Sequence, residues 1–98
     1  MQRQLYDSVN VCVSQDESFD LEYYVLKNDY EYEGTQIPGY GIEVHKKFFE
    51  NGVEISETSR VENIYMSQRR IGEIIGALLE NRVTPVTLRD VIYDLICQ

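Results

Sequence analysis

Histidine appears once, tryptophan never, and cysteine and proline twice each in this chain of 98 residues. The lone His45 excludes a metal centre built on several imidazoles and any triad that needs two. Cys12 and Cys97 are too few and too far apart for a disulfide framework or a zinc site. They read as buried or half-buried free thiols in a reducing compartment. Long apolar runs are missing too: Ile74 to Leu79 falls far below the roughly 18 residues of a membrane span. The opening residues, Met1 to Asp7, lack the apolar segment of a secretory signal, so a cytoplasmic protein with no membrane partner is expected.

Basic residues are scarce as well. Nine lysines and arginines face 17 aspartates and glutamates, a formal charge of −8. Such a surface repels a phosphate backbone, so direct nucleic-acid binding is not expected. The imbalance lies mostly in residues 1–39, where eight acids meet only Arg3 and Lys27. An acidic protein can instead imitate DNA and inhibit a nucleic-acid-binding protein. That role needs carboxylates dense along one face, whereas these mostly flank strands and turns. The chain also has no Walker loop, no dinucleotide fingerprint after a strand and no nucleophile elbow.

What is present is a pattern that folds. Apolar residues make up 43% of the chain, with eight tyrosines and three phenylalanines, enough for one domain over residues 1–98. Leu5 to Val13 alternates with period two, Asp7 excepted, and predicts a strand. Phe19 to Lys27 predicts a second, with Phe19, Leu21, Tyr23 and Val25 inward. The polar turn at 14–18 joins them as a hairpin. Residues 28–39, with Tyr30, Tyr32, two glycines and Pro38, read as an irregular loop that partly extends the second strand.

Asn51-Gly52 is the best local signal, because the pair suits the two positive φ angles of a type I′ hairpin turn. Counting outward pairs Phe49 with Glu54, Phe48 with Ile55, Lys46 with Glu57, Val44 with Ser59, Glu43 with Arg60 and Ile42 with Val61. This register gathers apolar pairs on one face and sets two opposite-charge pairs directly across from each other. Ser67 then caps a helix whose stripe is Ile71, Ile74, Ile75 and Leu78, stopping near Asn81. Thr84-Pro85 breaks the chain. Thr87 with Asp90 resembles a capping box for a second helix, striped by Leu88, Val91, Ile92, Leu95 and Ile96.

Chemistry-bearing residues are few. His45 falls on the face of Glu43, Lys47 and Phe49, opposite Thr58, and a flat sheet gives it no cleft for catalysis. Asp90 and Asp94, a helical turn apart, are too few to hold calcium. Arg69 and Arg70 occupy a helix first turn, where cations oppose the macrodipole. Either they form an anion site with the helix amides or they pair with Glu73. Gly72 and Gly76 each cost a helix nearly 1 kcal/mol, which implies a close approach by the second helix or the sheet.

Tyr40-Gly-Ile-Glu-Val44 and the run Val83-Thr-Pro-Val-Thr-Leu-Arg-Asp-Val-Ile-Tyr-Asp94 together resemble a family of small proteins from clostridia-type Firmicutes. Its members join a Tyr-Gly-Ile strand to a helix and then to a Thr-Pro-x-x-Leu-x-Asp-Val helix. The resemblance spans Phe19 to Ile96. It implies an intracellular bacterial protein and assigns no residue a role.

The expected fold is α+β: a four-stranded, mostly antiparallel sheet followed by two C-terminal helices packed on one face. Its sheet core would be Val9, Val11, Phe19, Leu21, Tyr23, Val25, Ile42, Val44, Phe48, Ile55 and Val61. Two helices cover one face only. The other would show Tyr6, Cys12, Tyr24, Leu26, His45, Phe49 and Arg60, an aromatic set richer than an ordinary solvated face. The first expectation is therefore a non-enzymatic binding or regulatory protein that uses the open face (Tyr6, Tyr24, Leu26, His45, Phe49, Arg60) to dimerise or hold a protein partner. Neither cofactor nor metal is expected. A small anion- or ligand-binding domain at Arg69 and Arg70 is the alternative, beside the acidic inhibitor.

Overall fold

The computed structural model describes residues 2–64 and 67–97, the Tyr30 side chain excepted. Strands β1 (Gln2–Cys12), β2 (Ser18–Tyr32), β3 (Thr35–Glu50) and β4 (Val53–Ile64) are followed by helices α1 (Gln68–Glu80) and α2 (Leu88–Ile96). The strands lie side by side in chain order, each antiparallel to the next. The fold is α+β, with both helices on one face of the meander.

Asn51 and Gly52 have φ of 53° and 78°, the left-handed pair a type I′ turn requires. Every pair counted from that turn is present, from Phe49↔Glu54 to Ile42↔Val61. A second turn of the same kind was hidden in the sequence. Glu33 and Gly34, at φ 51° and 78°, close β2 onto β3, so residues 28–39 are not a loop. Pairing runs without a break from Asn28↔Gly39 to Tyr32↔Thr35.

Among the described residues, β1 pairing begins at Gln2↔Lys27 and β4 pairing ends at Tyr40↔Ile64. Among the described residues, 28–39 pair only with each other, as a two-stranded arm. Pro38 lies on this arm opposite Asp29. Sixteen residues of β3 at roughly 3.3 Å each reach about 53 Å, which accounts for the 54 Å long axis.

Beneath the helices, the buried rows run from Tyr40 and Ile64 through Ile42, Val61 and Tyr23 to Leu21 and Val44. Ile71, Ile74, Ile75, Leu78, Leu88 and Ile92 meet them from above, each at most 1% exposed. Burying a side chain of that size contributes about 1.5–3 kcal/mol. The helical layer does not extend over the far end of the sheet. Phe19, Phe48 and Ile55, expected in the core, are only half-buried there, as are Val9, Val11 and Val25 elsewhere, and Ile96 is exposed.

Local chemistry sets the helix ends. Ser67 Oγ accepts the Arg70 N–H at 3.2 Å. At the other end Arg82 takes φ 50°, its N–H reaching the Leu79 carbonyl while Val83 N–H reaches that of Leu78. This is a Schellman stop, and it buries Val83 beside Leu78. The Tyr23 hydroxyl donates to the Val83 carbonyl at 2.8 Å and ties that stop to the sheet. Thr87 does not form the expected capping box: at φ −103°, ψ −1° it is already helical, and its side chain makes no capping bond.

Two other expectations fail on geometry. Among the described residues, a Cβ built on Gly72 would meet nothing within 4 Å and one on Gly76 only the hydroxyl of the sheet residue Tyr6 at 3.4 Å, so no described backbone approaches α1 closely at these glycines. Cys12 and Cys97, read as buried or half-buried, are both exposed.

Candidate functional site

The face opposite the helices presents alternate residues of each strand, and their chemistry is more polar than the aromatic count suggests. At its centre is Glu43. β3 is an interior strand, flanked by β2 and β4 along this stretch, and Glu43 is only 2% exposed although no helix lies over it. Its neighbours are what cover it. Arg60, directly across on β4, donates to Oε1 from Nη2 at 2.6 Å and from Nε at 3.0 Å. Arg3 of β1 reaches Oε2 at 3.0 Å, and His45 Nε2 lies 2.9 Å from the same oxygen.

Desolvation works to raise the Glu43 pKa. Hydrogen bonds from His45, Arg60 and Arg3, with the Arg60 charge, more than offset it and bring the value down to about 2. The group is thus a carboxylate at any ordinary pH and accepts only, which makes His45 Nε2 the donor. Tyr24 completes the cluster. Its ring lies 4.9 Å from that of His45, and the Arg3 guanidinium carbon stands 4.4 Å from its centroid. The Arg60 pKa is raised by its bonds to Glu43 and then Glu62, and that of Lys47 by its bond to Glu22.

Charge therefore cancels at the centre of this face. Arg3, Lys47 and Arg60 are matched by Glu22, Glu43 and Glu62, with Lys47–Glu22 at 3.2 Å and Arg60–Glu62 at 2.9 Å. Every charged group named here has its partner, and three cations balance three carboxylates. Glu43 and Arg3 are the members that sequence reasoning missed. Glu43, two residues from His45 and across from Arg60, was legible as a cross-strand pair. Its burial was not, because that depends on Arg3 arriving from β1.

Of the six residues expected to make this face, the structure brings Tyr24, His45 and Arg60 together. Leu26 belongs to the face but is 2% exposed. It packs over Gly41, where a Cβ would lie 3.2 Å from Leu26 Cδ1 and 2.7 Å from the Val61 carbonyl. Phe49 is 72% exposed and sits at the far end, two residues beyond Lys47. Tyr6 is a correction. A bulge between Leu5↔Tyr24 and Asp7↔Tyr23 adds one residue to β1. It sends Leu5 to the open face and leaves Tyr6 beside Gly76 of α1, on the helix side.

Arg69 and Arg70 do not converge on an open site. Arg69 is almost fully exposed and pairs with Glu73 at 3.5 Å. Arg70 pairs with Glu73 at 3.3 Å and donates to the Leu95 carbonyl at 2.9 Å, closing the C-terminal turn of α2. Asp90 and Asp94 are exposed, and among the described residues no group of three or more His, Cys, Asp or Glu is placed to hold a metal ion. Among those residues, too, no helix is long and apolar enough to cross a membrane.

A family model described as a family of unknown function, DUF6514, matches residues 2–98, and the chain belongs to that family. No curated protein and no solved structure matches it.

Proposed function

We propose that this member of the family is a non-enzymatic interaction protein whose uncovered sheet face binds a second copy of itself. The observation that carries this reading is charge cancellation around Glu43. Two molecules of charge −8 repel each other over most of their surface. The platform around Glu43, with Arg3, Lys47 and Arg60 balanced by Glu22, Glu43 and Glu62, is neutral and held by its own bonds, which suits a two-fold contact of a sheet with its own copy.

Four strands about 4.8 Å apart, each giving about eight residues, present roughly 500 Å² per copy. The pair then sits near the lower bound of area for a specific interface. Mimicry of nucleic acid is the weaker reading, because Glu22, Glu43, Glu62 and Glu73 are each held by a cation. We also place the protein in the cytoplasm of a clostridia-type bacterium. The support is the strand and helix motifs at Tyr40–Val44 and Val83–Asp94, whose resemblance implies an intracellular bacterial protein.

Sedimentation equilibrium tests the proposal. Ser56 and Thr58 are exposed and share the face, opposite Lys47 and His45. The wild-type chain should show a monomer–dimer equilibrium at micromolar concentration. Ser56→Glu/Thr58→Glu should abolish it without changing the circular dichroism spectrum. A wild-type chain that stays monomeric at millimolar concentration, or a dimer untouched by the double variant, contradicts it.

A further inference from the structure

On the helix side, where α1 and α2 stop short, the sheet end is open. There the structure contains a cleft of about 500 Å³ lined by Val13, Phe19, Phe48 and Lys46 and rimmed by Asp16, Glu17 and Glu50, so three carboxylates face one cation. The walls come from two connections. The β1–β2 turn is held by Val13 N–H to the Glu17 carbonyl at 2.9 Å, and the β3–β4 hairpin contributes Glu50. Phe19 pairs with Phe48 across β2 and β3, so the two rings form one apolar floor. Val13 and Val53 near it are 61% and 62% exposed.

We propose that this cleft docks a basic amphipathic segment of a partner protein, distinct from the contact between copies. The floor takes apolar side chains, and the three rim carboxylates take lysine or arginine heads. The molecule shows the compatible chemistry internally. Lys46 of the cleft itself stands with Nζ 4.5 Å from the Phe19 centroid and 5.1 Å from that of Phe48, so these rings suit an ammonium and the incoming basic heads go to the carboxylate rim. A second copy is a poor occupant, because at this end carboxylates would meet carboxylates. A basic segment gains from the rim and from steering by a charge of −8.

The experiment is fluorescence anisotropy of the full chain with a labelled amphipathic Leu/Lys peptide, beside the same peptide carrying Glu for Lys. The Leu/Lys peptide should bind with salt-sensitive affinity and the Leu/Glu peptide should not. Phe48→Ser should weaken binding at least about tenfold. Because Phe48 is half-buried, Glu17→Lys/Glu50→Lys provides a second variant on exposed positions, with the same loss expected. Asp29→Lys/Glu31→Lys on the arm makes an equal change in net charge and should cost far less. Equal weakening by the arm variant would show attraction to net charge alone and overturn the proposal. Equal binding of the Leu/Glu peptide, or no effect of either cleft variant, would overturn it as well.

Discussion

The Tyr23 hydroxyl, wholly buried at the centre of the sheet, donates to the Val83 carbonyl at the stop of α1. One hydrogen bond thus links β2 to the connection between the helices. Burial pushes the Tyr23 pKa from 10 up to about 12, with Arg82 pulling weakly the other way. A raised pKa means that the native state holds the proton more tightly. The associated stability is complete below pH 10 and is lost as pH rises toward 12. Tyr23→Phe should cost about 1–2 kcal/mol at neutral pH by orphaning the Val83 carbonyl. It should also flatten the alkaline loss, as urea melts between pH 8 and 11 would show.

Glu43 gives the opposite pH response. Its pKa falls from 4.5 to about 2 on folding, so its contribution is complete above pH 4.5 and is lost as pH drops toward 2. Arg3 and Arg60 are half exposed and screened, which holds the contribution to the order of 2 kcal/mol. In urea melts from pH 7 to pH 2.5, Glu43→Gln should lower stability at neutral pH and lose most of the acid-dependent decline. A variant with the wild-type acid profile would place that decline elsewhere.

The glycines of the sheet and of α1 should respond in opposite senses. Gly41→Ala drives a Cβ to 2.7 Å from the Val61 carbonyl, a backbone atom that cannot move aside cheaply, and should destabilise by more than about 1 kcal/mol. Gly72→Ala meets nothing, and alanine favours the helix, so it should stabilise by up to about 1 kcal/mol. Thermal melts of the two variants should move in opposite directions.

Arg70 and Arg69 should separate cleanly. Arg70→Ala removes the donor to the Leu95 carbonyl and should cost about 1 kcal/mol, while Arg69→Ala, at an exposed position, should cost almost nothing. Sulfate titration should shift the melting temperature of the wild type and of Arg69→Ala/Arg70→Ala equally. A shift confined to the wild type would restore the anion site.

How far the sequence could be read depended on whether local chemistry decided the structure. Asn51-Gly52 favours one turn type, so the β3–β4 register followed residue by residue, as did the α1 stripe, the α2 stripe apart from the exposed Ile96, and the Ser67 cap. Glu33-Gly34 makes the same turn, but glutamate is not a usual left-handed residue and Pro38 suggests a break, so the arm was hidden. Tyr6 was misplaced because a bulge reverses the alternation it was read from, and nothing local marks that bulge. The end cleft was invisible for a different reason. Phe19 and Phe48 carry a core pattern, and only the reach of the helices decides that they stay half-open.

The central claim is that two copies meet through the uncovered face, and an isotope-filtered NOE experiment tests it most directly. Equal amounts of labelled and unlabelled protein are mixed at a concentration where the dimer forms. Contacts between copies should connect the rings of Tyr24, His45 and Phe49 on one molecule with the face of the other. Absence of any contact between copies, or contacts that run instead from Phe19 and Phe48, would contradict the account.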